Sequence, residues 1–145
     1  MATSRRFIPV PPEAVWRVLA DPESYADWVV GSKRIRDADH TWPAVGSRFH
    51  HTVGVGPFTI DDHTASVACD PLRRLELRAH ARPLGVAKVV LELKPCDRGT
   101  LLTITESPTG IQTPLALFPP LHVLTWLRNA ELLARIERLA QVENV

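Results

Sequence analysis

The run RRLELRAHARPLGVAKVVLELKPCDRGTLLTITES, residues 73–107, decides the architecture. It alternates with a period of two, three times over. Across residues 73–81, Leu75, Leu77, Ala79 and Ala81 fall on one face, with Arg74, Glu76, Arg78 and His80 on the other. Across 86–94, Ala87, Val89, Leu91 and Leu93 oppose Lys88, Glu92 and Lys94. Across 100–107, Leu102 and Ile104 oppose Leu101, Thr103 and Thr105. That period belongs to a strand buried on one side. Arg82-Pro83-Leu84-Gly85 and Pro95-Cys96-Asp97-Arg98-Gly99 separate the runs with turn residues. Short strands joined this tightly predict an antiparallel meander with one wet face.

The residues upstream extend the same pattern. Strands are predicted over 33–38, 47–53 and 58–69, with Gly54-Val55-Gly56-Pro57 as a hairpin turn and Asp70-Pro71 as the next turn. Residues 2–10 read as a first strand, with Arg6, Ile8 and Val10 set against Phe7 and Pro9. Pro11-Pro12 stops it, and Pro12 suits the first turn of a helix carrying Val15, Val18 and Leu19. Asp21-Pro22 starts a second short helix, with Tyr25, Trp28 and Val29 as its apolar stripe and Gly31 as its end. Downstream, Pro119-Pro120 opens a helix free of Gly and Pro to about Val142, roughly 22 residues or ~33 Å. Leu132, Leu133, Ile136, Leu139 and Ala140 form its stripe, continued by Asn129, by Trp126 or Thr125, and by His122.

The order is one strand, two short helices, about six strands and one long helix, an α+β arrangement. A meander with one apolar face must be covered, and the long helix is the available cover. One long helix and two short ones do not fill the concave side of seven twisted strands, so an apolar cavity is expected between them.

Bulk properties narrow the function. The 145 residues suit one domain spanning 1–145, and no linker or repeat divides them. A net charge of +1 with dispersed cations argues against nucleic acid as a partner. No stretch reaches the ~18 apolar residues of a membrane span, so no integral membrane segment is expected. The N-terminus has no apolar signal core, and a cytoplasmic location is the expectation. Cys69 and Cys96 lack partners at metal-ligand spacing and read as free thiols. Motifs GxGxxG, GxxxxGK[ST], GxSxG, HExxH and CxxC are all absent. Oligomeric state is not legible.

Six histidines are a modest excess. With Val53 set opposite Phe58, His50 falls opposite Asp61 and Arg48 opposite His63. His51 falls opposite Ile60, on the face that carries Phe49, Asp62 and Thr64. A slip of one residue would change every partner. Two readings stand side by side. His51 and Asp62 line the cavity as a polar pair able to exchange a proton with a ligand, or they belong to a polar network on the wet face. Two histidines with a carboxylate also match zinc chemistry, but no compact spacing supports it, so no metal and no cofactor are expected.

Glu106 continues the Leu102 and Ile104 face. Pointing at the helix, its carboxylate would be desolvated and its pKa raised into a useful range for acid–base work. The alternative places it at a fraying strand end before Ser107-Pro108. Asn129 sits on the apolar stripe, where its amide needs either a ligand carbonyl or a tie to the sheet. Trp126 reads as core or cavity wall, Tyr25 and Trp28 as the packing of the second helix, and Trp42-Pro43 as a loop over an opening or over the sheet.

The stretches Ile8-Pro9-Val10-Pro11-Pro12-Glu13-Ala14-Val15-Trp16, Leu19–Tyr25 and Asp27-Trp28-Val29 resemble the opening of the START-like, or Bet v 1-like (SRPBCC), superfamily. Within it, the similarity is to the bacterial polyketide cyclase/dehydrase and lipid-transport group. Val45-Gly46-Ser47, the Gly54–Pro57 turn and Asp70-Pro71 also fit, so the resemblance spans the chain. It implies a helix-grip fold, a seven-stranded antiparallel sheet curled around the C-terminal helix, with a cavity for a hydrophobic or amphipathic small molecule. The group has no universal catalytic signature.

Three functions follow as expectations. The first is binding of a lipid- or polyketide-like molecule, with Trp28, Phe49, His51 and Leu77 among the lining residues. Val89, Leu91, Ile104 and Glu106 extend the lining, and Trp126, Asn129 and Leu133 supply the helix side. The second is a polyketide cyclase or dehydratase in which His51, Asp62 or Glu106 moves protons on an enolate. The third is a protein-interaction module with a collapsed cavity.

Overall fold

The computed structural model describes residues 2–29, 32–55, 57–81, 85–111 and 119–143. Strand β1 is Ala2–Ile8, helix α1 is Pro12–Leu19, a 3-10 turn covers Pro22–Ser24, and α2 is Tyr25–Trp28. Strands β2 (Ser32–Ala38), β3 (Arg48–Val55), β4 (Phe58–Asp70), β5 (Arg74–Ala81), β6 (Gly85–Cys96) and β7 (Gly99–Ile111) follow, and α3 (Pro119–Glu143) ends the chain. The sheet runs in the order β1-β7-β6-β5-β4-β3-β2, and all six pairings are antiparallel. The meander is thus continuous from β2 to β7, with β1 added beside β7.

Local chemistry sets the boundaries. Pro12 takes the first turn of α1, and Asp21 Oδ1 accepts from the Glu23 amide to cap the 3-10 turn. The first strand ends at Ile8 rather than at residue 10. The last two strands outrun the expected 86–94 and 100–107, through Pro95 and Pro108. Pro108 pairs with Ala87 beside a register shift, the kind of irregularity at which a sheet accommodates a proline. Gly31 and the turn residues 82–84 lie outside the described residues.

The hairpin joining β3 to β4 corrects the expected register by two residues. Val55, not Val53, pairs with Phe58, so Gly54 and Val55 belong to the strand. His50 therefore faces His63, His51 faces Asp62, and Arg48 faces Ala65. A shift of two keeps every side chain on its expected face.

One face of the sheet carries Leu75, Leu77, Leu91, Leu93, Leu102 and Ile104, all buried. Helix α3 presents Leu132, Leu133, Ile136 and Ala140, also buried, and packs on β1, α1 and α2. Thr100 Oγ1 donates to the Val10 carbonyl at 2.8 Å and pins the chain entering α1 to the start of β7. Gly99 is required by close approach: a Cβ there would strike the Ile8 carbonyl and the Phe7 ring.

Candidate functional site

Helices α1 and α2 are joined by aromatic and hydroxyl donors that converge on the end of α1. The Leu19 carbonyl accepts from Tyr25 OH at 2.7 Å and from Trp42 Nε1 at 3.2 Å, satisfying a backbone acceptor left free at a helix C-terminus. Ser24 Oγ donates to the Val18 carbonyl at 2.6 Å and accepts from Trp28 Nε1 at 3.1 Å. The Tyr25 ring lies 4.3 Å from Trp28, 5.5 Å from Trp42 and 4.6 Å from Phe49, centroid to centroid. Trp42 is buried in this cluster rather than placed over an opening. Burial pushes the Tyr25 phenol pKa well up.

The cluster continues into polar chemistry at β3 and β4. The Phe49 and His51 rings are 5.4 Å apart. His51, Asp62 and Thr64 are buried, at 6%, 5% and 5% exposure, so they belong to the covered face and not to the wet one. His51 Nε2 and Thr64 Oγ1 share a hydrogen bond of 3.2 Å. His51 Nδ1 is buried without a hydrogen-bond partner. Burial lowers the His51 pKa and outweighs the opposing pull of Asp62, keeping the imidazole neutral. A neutral imidazole beside a carboxylate can accept or relay a proton.

Helix α3 packs on β1, α1 and α2. Asn129 is fully buried, and neither its amide nitrogen nor its amide oxygen has a hydrogen-bond partner. Buried polar groups are ordinarily paired, so this amide calls for an explanation. Ser4 Oγ on β1 is likewise buried and unpartnered. Between β1 and α3 lies a pocket of about 210 Å³ lined by Thr3, Ser4, Arg5, Arg6, Ala130 and Leu133. A wider groove of about 850 Å³ is lined partly by Arg5, Arg74, Glu92, Lys94 and Thr103. By register these five lie on the face opposite Leu75, Leu91 and Ile104, and charges of both signs make the groove a poor match for an apolar ligand.

Glu106 is held inside β7 and does not fray, because the strand runs on to Ile111. Its carboxylate is not the lone desolvated group expected from the sequence: Arg128 Nη2 of α3 donates to Glu106 Oε2. A second ion pair, Arg6 Nη2 to Glu137 Oε2 at 2.8 Å, ties β1 to the same helix. Arg128 lies off the apolar stripe, so helical spacing alone does not mark it as a partner for β7.

Of the other expected lining residues, Trp28 and Phe49 sit in the aromatic cluster. Leu77, Leu91, Ile104 and Leu133 lie in the buried core, with Val89 half-buried against it. Trp126 and His122 lie outside the residues whose side chains are described.

The profile of a family described as polyketide cyclase / dehydrase and lipid transport matches residues 2–142. The chain belongs to this family. No curated protein matches it. Among solved structures, protein NE0264 from Nitrosomonas europaea is similar at a TM-score of 0.74 and 22% identity, covering 98% of this chain and 94% of that one. The AHSA1-like protein from Aeromonas hydrophila is similar at 0.69 and 19% identity, covering 98% and 92%. Ara h 8.0201 is similar at 0.72 and 14% identity, covering 97% and 96%. At these identities the likeness establishes the fold, which is the Bet v 1-like helix-grip. The family is a small-molecule binding fold, and among the described residues no helix is long and apolar enough to cross a membrane.

Proposed function

We propose that residues 1–145 act as one ligand-binding domain for a hydrophobic or amphipathic, lipid- or polyketide-like molecule held between the sheet and α3. The observation that carries this reading is the unpaired Asn129 amide, fully buried on the apolar stripe of α3. On the covered face of the sheet, His51 stands with Phe49, Leu77, Leu91 and Ile104, a wall with few polar groups. A few fixed polar groups in an apolar lining orient a ligand that carries a carbonyl or hydroxyl on a hydrocarbon body.

Native mass spectrometry on freshly purified protein, followed by extraction and identification of bound molecules, tests the reading. The expected result is a co-purifying apolar molecule, or uptake of an added long-chain fatty acid, weakened in Asn129→Leu. A protein that carries nothing and takes up neither a fatty acid nor an environment-sensitive apolar dye would overturn it.

A second reading is favoured by one relationship, the cross-strand register that sets His51 opposite Asp62 on the covered face. In a cyclase or dehydratase, His51 would take a proton from the methylene between two carbonyls, and the enclosing walls would fold the chain for ring closure. Proton exchange on a small β-keto thioester, abolished in His51→Ala with fatty-acid binding retained, would select the enzyme. No exchange above the uncatalysed rate would leave binding alone.

A further inference from the structure

We propose that Asp62, His63 and His80 form a site for a divalent transition-metal ion of the zinc class. One ligand atom from each residue lies within 4.8 Å of those of the other two. The three come from adjacent strands: His63 stands on β4, and His80 comes beside it from β5. Their rings stack at 4.1 Å with 30° between planes.

The register explains the assembly. Thr64 pairs with Ala79, which sets the preceding residue of β4 beside the following residue of β5. His63 and His80 therefore share the sheet face opposite His51 and Thr64. Asp62 alternates to the other face, but its Oδ1 turns back along the chain. That oxygen accepts from the His63 amide at 3.0 Å and lies 3.8 Å from His63 Nδ1.

Two features separate this group from a chance meeting of surface side chains. The Asp62 side chain is only 3% exposed. His80 Nδ1 is buried and has no hydrogen-bond partner. A metal held through that nitrogen would supply the missing partner.

Two imidazoles and one carboxylate are a nitrogen–oxygen donor set suited to zinc, with a fourth position open to water. Tetrahedral ligands about 2.0–2.1 Å from a metal stand about 3.3 Å apart, so the side chains must close by up to about 1.5 Å on binding. His63 is half-buried and can make that rotation. The metal would join β4 to β5 across the face away from α3. This inference does not depend on the ligand reading above.

The test is calorimetric titration of tag-free, chelator-treated protein with Zn²⁺ alone. A parallel Co²⁺ titration reads the visible ligand-field bands of a low-symmetry site. The expected result is one ion per chain and a melting temperature that rises with Zn²⁺. His63→Ala and His80→Ala should each weaken binding by at least about tenfold. His40→Ala, an exposed histidine elsewhere, should match the parent. Circular dichroism of the metal-free variants checks folding, and Asp62→Asn and His80→Asn replace any variant that fails to fold. Absence of Zn²⁺ binding, or parental affinity in folded His80→Ala or His80→Asn, would overturn the assignment.

Discussion

Arg128 on α3 donates through Nη2 to the Glu106 carboxylate on β7, and so ties the C-terminal helix to the strand next to β1. Both side chains are partly exposed, Arg128 at 38% and Glu106 at 17%, so water screens the pair and its contribution is modest. A double-mutant cycle with Glu106→Gln and Arg128→Gln should give a coupling of about 1 kcal/mol by urea unfolding, smaller at high salt. A coupling of zero would show that the pair does not form in solution.

Gly99 opens β7 where β1 crosses closest. A methyl group there would meet the Ile8 carbonyl and the Phe7 ring. Backbone cannot yield as a flexible side chain does, so Gly99→Ala should destabilise by about 1–3 kcal/mol. The urea midpoint should fall with an unchanged slope. An unchanged midpoint would mean that the β1–β7 edge sits farther apart than described.

Tyr25 is the sole tyrosine of the chain, so tyrosinate absorbance reports on one group. Burial raises its pKa, so the folded state holds the phenol neutral while the unfolded chain ionises above about pH 10. A raised folded-state pKa contributes stability that is whole below that pH and declines as pH rises past it. Tyrosinate absorbance should therefore appear only together with loss of near-ultraviolet circular dichroism. Ionisation of the phenol near pH 10 in still-folded protein would contradict its burial.

The two thiols should differ in reactivity. Cys96 is exposed, whereas Cys69 is half-buried, and burial together with the Asp70 carboxylate pushes its pKa up. The thiolate is the reactive species, so at mildly alkaline pH iodoacetamide should modify Cys96 first and Cys69 several-fold more slowly. Peptide mapping after timed quenching distinguishes them. Equal rates would place Cys69 in open solvent.

The sheet was legible because the three runs carrying Leu75 to Ala81, Ala87 to Leu93, and Leu102 with Ile104 each alternate, and a period of two admits one covered face. The β3–β4 register was not. Gly54 and Val55 read as turn residues, yet they pair with Thr59 and Phe58. The resulting error of two residues left His51 on its true face while assigning it the wrong partner. Asn129 was legible from helical spacing alone. Its lack of a partner was not, because that depends on how deeply α3 seats against β1. Arg128 is one position off the stripe, and nothing in the sequence marks it as the partner of Glu106. His63 and His80 meet only through the β4–β5 pairing, which carries a bulge at Ser66/Ala68 that sequence spacing does not specify.

Asn129 offers the sharpest test of whether polar chemistry on α3 is kept for a ligand. A buried amide without partners costs about 1–3 kcal/mol relative to an apolar group of similar size. Asn129→Leu replaces it with a side chain of comparable length on a stripe that already carries Leu132 and Leu133. The variant should therefore melt at a higher temperature than the parent in the absence of ligand. It should also hold a fatty acid more weakly, because the oriented polar contact is gone. Gain in stability with loss of binding is the signature of a residue kept for function against the interest of the fold. A lower melting temperature would show that the Asn129 amide finds a protein partner in solution and serves to hold α3 in place.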